Sequence, residues 1–315
     1  MAERNDVSTW PLVSIITLNY NQAAVTEEFL QSAARLTYPN YEIIVVENGS
    51  DRDPFGRDRA SRFPTVRLIT SSVNLGFAGG NNWAMRQARG AYFLLINNDT
   101  EPAPDLIERL LEPFVTNPAV GVSGPKIRFF DCPTVIQYAG YRPLNRFTGR
   151  TWAIGLHEVD NGQHNKSGPT NFAHGAAMMI KREVLKRAGS LDNSFFLYYE
   201  ELDWSMRIRR AGFQIYYQSS AIVYHKESMS VGRNNPLKVY YHTRNRLLFM
   251  RKNVSGFSLL IFYLYYFLLA LPKTVLICLF NWQKDYLKAI TDAIVWNLKH
   301  KVHQGPIALP DVNVS

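Results

Sequence analysis

An alternation of short apolar runs with amphipathic segments across the first 125 residues constrains the fold more than any other feature of this sequence. The apolar runs predict strands at Leu12–Leu18, Tyr41–Val46, Val66–Ile69 and Tyr92–Ile96. The amphipathic segments predict helices at Ala23–Leu36, Gly79–Ala88 and Pro104–Thr116. Such alternation is typical of a parallel sheet with helices on both faces, whose strands are continuously apolar because both faces are covered.

The pattern loosens after Pro125. Residues 126–170 are rich in Gly, Pro, Asn and Thr, which predicts irregular strands and a flexible loop. Beyond them the sequence predicts a strand and helix in Ala176–Ala188, a helix in Asp203–Ala211, strand segments in Phe213–Tyr224, and helices in Leu237–Lys252 and Asp285–Lys299. The predicted class is α/β: a Rossmann-like, mostly parallel sheet flanked by helices, with a C-terminal helical extension that is apolar and basic.

Polar residues stand at the ends of three predicted strands. They are Thr17, Asn19 and Asn21 at the first strand, Glu47 and Asn48 at the second, and Asn98 and Asp99 at the fourth. Ligands of open parallel sheets bind outside the carboxyl ends of the strands. We therefore expect these residues to share one rim of the sheet; ordinary polar loops are the alternative.

Asp99 closes an apolar strand, which makes it a candidate metal ligand. Mg²⁺ and Mn²⁺ prefer oxygen ligands and commonly keep one or two protein carboxylates, with phosphates completing the shell. Glu101 is a weaker candidate. The alternative for Asp99 is a helix N-cap, since Pro102 and Pro104 follow it and Asp is a favoured cap residue. His225 ends another apolar run, where it is either a ligand or a structural hydrogen-bonding residue.

Three acids stand within four residues at Glu200, Glu201 and Asp203, directly after the aromatic run 195–199. Helical spacing places Glu200, Asp203 and Arg207 on one face, so we expect an Asp203–Arg207 ion pair that holds the helix. That pair leaves Glu201 free. A carboxylate beside an aromatic wall can have its pKa raised toward that of a useful general base.

A glycine-rich segment, Asn74–Asn82, opens a predicted helix. Exposed N–H groups at a helix N-terminus favour an anionic phosphate, which makes Asn74, Gly76 and Asn81 candidate contacts. The segment reads G-x-x-G-G after the third strand, whereas the dinucleotide fingerprint needs G-x-G-x-x-G after the first. A dehydrogenase is disfavoured for this reason.

The net charge of +9 is concentrated near the C-terminus, where residues 236–303 hold ten Lys or Arg against two acids. Within this region Phe257–Leu271 carries no charge, and Pro272 and Lys273 separate it from Val275–Phe280. Basic flanks around an aromatic-rich apolar run favour an anionic membrane surface over nucleic acid. A span needs ~20 apolar residues. We therefore predict two helices at the membrane interface within residues 254–303; the alternative is a helix pair buried by packing or in a homodimer.

The compartment is predicted from the cysteines and from the N-terminus. Cys132 and Cys278 are the only cysteines, so neither a disulfide framework nor a Cys-based zinc site is implied, and a reducing compartment is expected. Residues 1–10 lack the apolar core of a signal peptide. We expect a cytoplasmic protein in peripheral contact with the inner face of the cell membrane.

Taken together, these segments resemble the family 2 glycosyltransferases, inverting enzymes of the GT-A fold, and in particular the bacterial rhamnosyltransferase-type members. The segments that carry the resemblance occur in the family's order: Val13–Asn21, Val45–Ser50, Asn74–Asn82, Ile96–Asp99, Gly175–Ala177, Tyr199–Arg207 and His225. The resemblance implies a catalytic domain at 1–235, with a nucleotide-sugar-binding half at 11–125 and an acceptor and catalytic half at 126–235. A helical region at 236–315 follows.

The resemblance also implies roles for the residues that bind the donor. Thr17, Asn19 and Glu47 would line the base and ribose of the nucleotide. Asn98 and Asp99 stand at the D-x-D-like motif, where Asp99 would contact Mg or Mn and the diphosphate. Two departures from the family pattern follow. Glu47 stands where Asp is frequent, and the metal motif has a single acid, so metal affinity is expected to be low without the nucleotide.

For catalysis, the resemblance places Glu201 at the position of the general base, with Glu200 and Asp203 beside it. His225 matches a late histidine that completes the metal site. Arg244 matches a residue that reaches the diphosphate.

The implied reaction is a single displacement that moves a sugar from a nucleotide-sugar to a glycan or polyprenyl-linked glycan in cell-surface polysaccharide synthesis. Rhamnose from dTDP-rhamnose is the expected donor, with galactofuranose or a UDP-hexosamine left open. A glycoside hydrolase also needs two carboxylates, but neither a phosphate-type loop nor the Asp99 site. A non-catalytic nucleotide-sugar-binding module would bind donor without any effect of Glu201→Gln.

Overall fold

The computed structural model describes residues 10–226, 235–302 and 307. The strands are β1 (Val13–Asn19), β2 (Tyr41–Asn48), β3 (Val66–Ser71), β4 (Tyr92–Ile96), β5 (Thr100–Pro102), β6 (Val120–Phe129), β7 (Ile136–Tyr138), β8 (Gly168–Thr170), β9 (Ala177–Lys181) and β10 (Gln214–His225). The helices are α1 (Ala23–Ala33), α2 (Arg57–Ala60), α3 (Gly76–Gln87), α4 (Leu106–Thr116), α5 (Arg182–Ala188), α6 (Glu200–Arg210), α7 (Pro236–Asn253), α8 (Gly256–Tyr265), α9 (Leu271–Phe280) and α10 (Lys284–Lys299). A π-helical turn, Tyr266–Ala270, joins α8 to α9.

The described strands form one sheet in the order β3-β2-β1-β4-β9-β6-β10-β5, with β7 beside β6 and β8 beside β10. Strands β3, β2, β1 and β4 pair in parallel, as the alternation predicts, and so do β6 and β10. Strand β9 pairs antiparallel with both β4 and β6, so it joins the two parallel halves. The α/β class predicted from the sequence is confirmed.

Alternate residues of the central strands are buried on opposite faces of the sheet. In β2, Ile43 and Val45 belong to an apolar cluster with α1 and α4, whereas Ile44 and Val46 belong to a second cluster with α3, α5 and α6. All four side chains are at most 2% exposed. Because both faces are covered, the strands are continuously apolar, and polar side chains gather at the strand ends.

Two strands of the second half are longer than the sequence predicts, whereas residues 130–167 are largely irregular, as expected. Strand β6 runs through Pro125, and β10 is one strand that ends at His225. The register between them shifts after Gln218, which is the partner of Pro125. A proline lacks the N–H that a ladder needs, and a shift of this kind lets the two strands continue past it.

Helix α7 packs into the body of the protein. Its Leu248 and Phe249 share a buried apolar cluster with Phe172, Phe195 and Leu202. Helix α10 in turn lies along α7, and the two helices are in extensive contact. Apolar packing therefore crosses the position near residue 235 at which the sequence predicts a domain division, and the division stays a prediction.

The prediction of two separate apolar helices is wrong. α8, the π-helical turn and α9 form one continuous helix, Gly256–Phe280, which by length and composition is long enough to cross a membrane. Pro272 lacks an N–H and its ring crowds the preceding turn, which is why the sequence indicated a break. The π-helical turn widens the helix just before Pro272 and accommodates it. Three side chains of the helix Gly256–Phe280 are buried against the rest of the protein, namely Phe262, Tyr266 and Cys278.

Both cysteines are free thiols, Cys132 exposed and Cys278 buried, as expected from their number. The prediction about a signal peptide concerns residues 1–10, and all of these except Trp10 lie outside the described residues.

Candidate active site

A chain of buried hydrogen bonds joins the carboxyl ends of β1, β2 and β4. Asn98 Nδ2 donates to Thr26 Oγ1 at 2.9 Å, and Thr26 Oγ1 donates to Asn19 Oδ1 at 2.8 Å. Asn19 Nδ2 then donates to Glu47 Oε2 at 2.7 Å. All four residues are at most 7% exposed. The structure thus brings these predicted rim residues together, with Thr26 of α1 as a linking residue that the sequence did not single out.

The loop after β2 is shaped by side chains of this rim. The Glu47 carboxylate accepts hydrogen bonds from the backbone N–H groups at positions 50 and 55, at 2.8 and 2.6 Å. Asn21 Oδ1 accepts from the successive N–H groups of residues 51–53. The polar atoms of Asn19, Asn21 and Glu47 are therefore used within the protein. These residues position the loop, and their direct contact with a nucleotide stays a prediction.

The glycine-rich segment does not present a free helix N-terminus. Helix α3 begins at Gly76, whose φ is +69° and where a Cβ atom would come within 2.5 Å of the Phe196 carbonyl oxygen. The N–H groups of Phe77 and Ala78 donate to that carbonyl at 2.7 and 3.5 Å. The expectation of a phosphate site at this terminus is not supported, because a backbone carbonyl occupies the donors that a phosphate would need.

The other residues predicted to contact the nucleotide-sugar differ in whether their polar side-chain atoms already form hydrogen bonds within the protein. The Asn48 amide donates to Asn74 Oδ1 at 3.2 Å, and Asn48 Oδ1 accepts from the N–H of Leu75. Asn81 Nδ2 donates to a backbone carbonyl of its own helix at 2.9 Å. Thr17 differs from these residues, because its Oγ1 is buried without a hydrogen-bond partner. Because this atom is also shielded from solvent, the predicted contact of Thr17 with a nucleotide stays a prediction.

Asp99 and His225 meet where β5 pairs with β10. Thr100 lies opposite His225 in this antiparallel pair. As a result His225 Nε2 lies 3.2 Å from Asp99 Oδ1, and both residues are buried, at 7% and 5% exposure. Asp99 Oδ1 has no hydrogen-bond donor among the described residues. A buried carboxylate oxygen facing an imidazole nitrogen needs either a proton or a cation between them.

Gln137 of β7 orients the imidazole from its other side. Its Oε1, a hydrogen-bond acceptor, lies 2.8 Å from His225 Nδ1, so Nδ1 carries a hydrogen and Nε2 is the nitrogen that faces Asp99 Oδ1. A carbonyl oxygen behind a histidine is the usual arrangement of a metal ligand. The Asp99–His225 pair therefore fits a divalent cation. The described residues contain no cluster of three or more His, Cys, Asp or Glu, so a diphosphate would have to complete the shell.

Glu101, the weaker metal candidate, lies elsewhere. Its carboxylate forms ion pairs with Arg35 at 3.6 Å and with Lys226 at 3.7 Å. His225 lies opposite Thr100 in the sheet, and because successive side chains of a strand point to opposite faces, Glu101 points away from His225. We do not assign it to the cation site.

The loop before α6 has an unusual backbone. Phe196, Tyr198 and Tyr199 all adopt positive φ angles, between 63° and 74°. Bulky residues rarely occupy this region, and they persist there only when surrounding contacts hold them. Asn245 Nδ2 supplies such contacts, since it donates to the carbonyls of Phe195, Leu197 and Tyr198.

Arg244 belongs to the same support rather than to a diphosphate site. Its guanidinium donates to the carbonyls of Ser194 and Phe195 at 2.7 and 2.5 Å and packs on the Trp296 ring at 4.4 Å. It is 6% exposed. The role implied by the resemblance is therefore not supported for Arg244, and its charge instead fixes the loop that carries the first residues of α6.

Glu200 and Glu201 open α6 and have different protonation behaviour. Burial raises the pKa of Glu201 to about 7, although hydrogen bonds from the backbone oppose the shift. Burial and the neighbouring Glu201 charge raise the pKa of Glu200 well above its usual value. The pair therefore keeps Glu200 neutral and lets Glu201 change its charge near pH 7, which suits a general base.

Asp203 is part of an ion-pair network. The predicted pair with Arg207 is present at 2.9 Å, and Asn253 Nδ2 and Lys252 Nζ also contact the carboxylate, at 2.9 and 3.3 Å. The side chain is completely buried. Asp203 therefore joins α6 to α7, and we do not propose it as the base.

The segment 174–177 connects the glutamates to the cation site. A Cβ atom on Gly175 would lie 3.9 Å from Glu201 Cγ, and the carbonyl of Ala176 accepts from the N–H of Asn97 at 2.9 Å. The ring centroids of His174 and His225 are 6.4 Å apart. Glu201 and the Asp99–His225 pair therefore border the same short segment.

His174 and Gln137 were not predicted from the sequence. Burial and the nearby His225 lower the pKa of His174 to about 3, so its imidazole is neutral. His174 directly precedes the recognised Gly175–Ala177 motif, which was the available signal. Gln137 lies in a stretch without regular pattern and offered none.

Comparison with known proteins identifies the family. The sequence model described as Glycosyl transferase family 2 matches residues 14–189, more than half of the chain. The chain therefore belongs to glycosyl transferase family 2. The matched range contains Asp99 and ends before Glu200.

Among curated relatives, the N-acetylglucosaminyl-diphospho-decaprenol L-rhamnosyltransferase of Mycobacterium tuberculosis is 24% identical over 266 residues, covering 78% of this chain and 86% of the relative. A low-salt glycan biosynthesis hexosyltransferase of Haloferax volcanii is 28% identical over 245 residues, covering 75% and 74%. The chain thus resembles hexosyltransferases of more than one kind.

Solved structures confirm the GT-A fold. The mannosyltransferase PcManGT of Pyrobaculum calidifontis, solved with GDP-Man and Mn²⁺, aligns with a TM-score of 0.55 at 17% identity, over 93% of this chain and 89% of that one. The structure of GalNAc-T7 with UDP, GalNAc and Mn²⁺ aligns with a TM-score of 0.58 at 13% identity, over 75% and 49%.

Proposed function

We propose that this chain is an inverting, metal-dependent glycosyltransferase that moves rhamnose from dTDP-rhamnose to a lipid-linked glycan in cell-surface polysaccharide synthesis. The proposal rests on one observation. Glu201, a carboxyl with a pKa of about 7, and the buried Asp99–His225 pair both border the segment 174–177. The similarity to the mycobacterial N-acetylglucosaminyl-diphospho-decaprenol L-rhamnosyltransferase supports both the sugar and a lipid diphosphate in the acceptor.

The chemistry assigned to the chain's own residues is a single displacement. Glu201 accepts the proton of the acceptor hydroxyl as its oxygen forms a bond to the anomeric carbon. The bond from that carbon to the nucleoside diphosphate breaks on the opposite face, which inverts the configuration. Glu200 stays protonated and therefore adds no second negative charge beside the attacking oxygen.

Asp99 and His225 would hold Mg or Mn, and Gln137 would orient His225 for this purpose. The cation, when bound, supplies positive charge that offsets the negative charge developing on the departing diphosphate. In this proposal residues 11–125 provide most of the donor site, residues 126–235 the acceptor and catalytic half, and residues 236–315 a helical region.

We further propose that the protein works at the cytoplasmic face of the membrane. Helix Gly256–Phe280 contacts the protein through a few buried residues and exposes large apolar side chains over the rest of its surface. Because one side remains packed on the body of the protein, the exposed side suits burial in the interface better than a full crossing. Lys273, Lys284 and Lys288 are exposed along this region and suit anionic lipid.

A donor screen tests the proposal. Purified protein with Mg or Mn is offered dTDP- and UDP-sugars, and thermal shift and nucleoside diphosphate release are measured. We expect metal-dependent stabilisation by dTDP-rhamnose; a response to UDP-galactofuranose or a UDP-hexosamine alone would replace the sugar. Binding without release in the presence of acceptor would favour a nucleotide-sugar-binding module. No response to any donor would overturn the proposal.

A further inference from the structure

A cavity lined in part by two arginines lies between the loop that precedes the candidate base and the exposed apolar helix. It has a volume of about 220 Å³, and it is lined by Arg150, Tyr199 and Arg246 on one side and by Ala270, Leu271 and Thr274 on the other. Sites for whole small-molecule ligands usually measure ~300–1,000 Å³. The cavity therefore suits a compact charged group better than a nucleotide-sugar.

The two arginines of this cavity differ in exposure, since Arg150 is exposed to solvent, whereas Arg246 is partly buried and lies over the Tyr266 ring at 5.2 Å. Among the residues that the structure describes, neither guanidinium has a carboxylate within the 4.0 Å of an ion pair. Arg246 donates through Nη2 to the Thr148 carbonyl, but its Nε is buried without a hydrogen-bond partner. Thr148 Oγ1 is likewise buried without one. Buried donors normally have an acceptor, so this part of the cavity lacks an anionic or strongly accepting group.

The backbone holds Arg150 in place beside this cavity. Gly149 has a φ of +64°, and a Cβ atom there would come within 3.0 Å of Met250 Sδ and 3.1 Å of Phe262 Cε2. Its N–H donates to the Asn145 carbonyl at 2.8 Å. The turn that carries Arg150 is therefore seated directly on α7 and α8.

The cavity borders the loop that precedes the candidate base on one side and the apolar helix on the other. Tyr199 immediately precedes the two glutamates, and its phenol lies close enough to Arg150, Arg246 and Glu201 for all three charges to act on its pKa, which burial raises to about 12. On the opposite wall, Leu271 and Thr274 belong to the helix whose Leu268 and Leu276 are exposed at 66% and 53%. A single ligand would therefore place a hydroxyl near Glu201, an anion at the arginines and an apolar chain on the helix, in that spatial order.

We infer that Arg150 and Arg246 bind the diphosphate of a prenyl-diphosphate-linked acceptor, whose lipid chain lies along the exposed face of Gly256–Phe280. Arginine matches phosphate oxygens with paired, charge-assisted hydrogen bonds, and it does so best where water is partly excluded. The inference rests on the proposed function and adds the part of the acceptor that the protein holds. The same chemistry is offered by the donor's own diphosphate and by anionic phospholipid headgroups, so the test separates these sources.

The test compares Arg150→Gln with Arg146→Gln. Both arginines are exposed on the same loop and each change removes one positive charge, but Arg146 does not line the cavity. Binding of farnesyl diphosphate is measured by calorimetry with dTDP and Mg²⁺ at saturation, so that the donor site is filled. We expect affinity to fall about tenfold or more in Arg150→Gln and to stay unchanged in Arg146→Gln, since a charge-assisted hydrogen bond is lost in one variant alone.

Two further arms identify the source of the anion. Inorganic pyrophosphate should compete with farnesyl diphosphate and farnesol should not, while both variants should bind phosphatidylglycerol vesicles with the same modest loss. Equal affinity of the two variants for farnesyl diphosphate would overturn the inference, and so would displacement of farnesyl diphosphate by dTDP. The experiment measures binding, so its result does not depend on sugar transfer. If farnesyl diphosphate binding depends on Arg150 but the protein responds to no donor, the proposed function fails while the anion site stands.

Discussion

His225 Nε2 lies 3.2 Å from Asp99 Oδ1, because Asp99 directly precedes β5 and His225 ends β10, the strand that pairs with β5. Gln137 holds the other imidazole nitrogen at 2.8 Å. The contact places a carboxylate oxygen without a hydrogen-bond donor opposite an imidazole nitrogen. A divalent cation held between them would bind both atoms.

The first prediction concerns Gln137. Gln137→Met keeps the length of the side chain but removes the acceptor behind His225, so the imidazole can rotate or change its tautomer. We expect metal affinity in the presence of donor nucleotide to fall ~10–100-fold, the usual effect of losing such a partner. Titration of apo protein with Mn²⁺ and dTDP measures it. Gln31→Met, at an exposed position of α1, is the control; equal affinities for the two variants would place the cation elsewhere.

The second prediction separates the two glutamates. Glu201→Gln should lower the rate of transfer by ~10²–10⁴-fold, the usual contribution of a general base, with donor binding retained. Glu200→Gln should keep most of the activity, because the glutamine mimics the protonated acid that is already present. Product formation and donor affinity are measured for both. Activity that survives in Glu201→Gln but is lost in Glu200→Gln would exchange the two roles.

The third prediction is a pH profile. Glu201 must be ionised to accept a proton, and its pKa is raised to about 7. The value of kcat/KM should therefore rise tenfold per pH unit below about 7 and level off above it. Donor affinity, measured over the same range, distinguishes loss of the base from loss of the donor. A rate that stays level down to pH 5 would mean that the carboxyl of Glu201 is not the titrating group.

The fourth prediction concerns the loop that carries the glutamates. Asn245 is completely buried and donates to three carbonyls of a backbone with positive φ angles. Asn245→Ala should lower the free energy of unfolding by ~1–3 kcal/mol and lower kcat as well, because the unsatisfied carbonyls release the loop. Denaturant unfolding and initial rates test it. Asn161→Ala, at an exposed position, is the control and should match the unchanged protein.

The fifth prediction concerns membrane contact. Replacing both Leu268 and Leu276 by Glu puts two charges on the exposed face of Gly256–Phe280 and should abolish most binding to vesicles that contain phosphatidylglycerol. Val115 of α4 is 82% exposed on the catalytic part, so Val115→Glu is the matched control. Sedimentation with vesicles measures the bound fraction. Undiminished binding of the double variant would exclude this helix as the contact.

Most strands and helices of the first 125 residues, and most of the candidate site residues, could be predicted from the sequence. The apolar runs of β1, β2 and β4 are readable because both faces of these strands are buried, and the polar residues at their ends follow from the geometry of a parallel sheet. The Asp203–Arg207 pair was also predictable, because it depends on helical spacing alone.

Which of those residues have donors or acceptors left for a ligand depends on the tertiary structure. Arg244 and the N-terminus of α3 carry the charge and donors that a phosphate needs, yet both are occupied by carbonyls of the loop 194–196. Gln137 and His174 reach the site through pairings that no local pattern indicates. The physical reason is the same throughout. A side chain's type sets what it can bind, but whether its donors and acceptors are already satisfied depends on partners brought from distant parts of the chain.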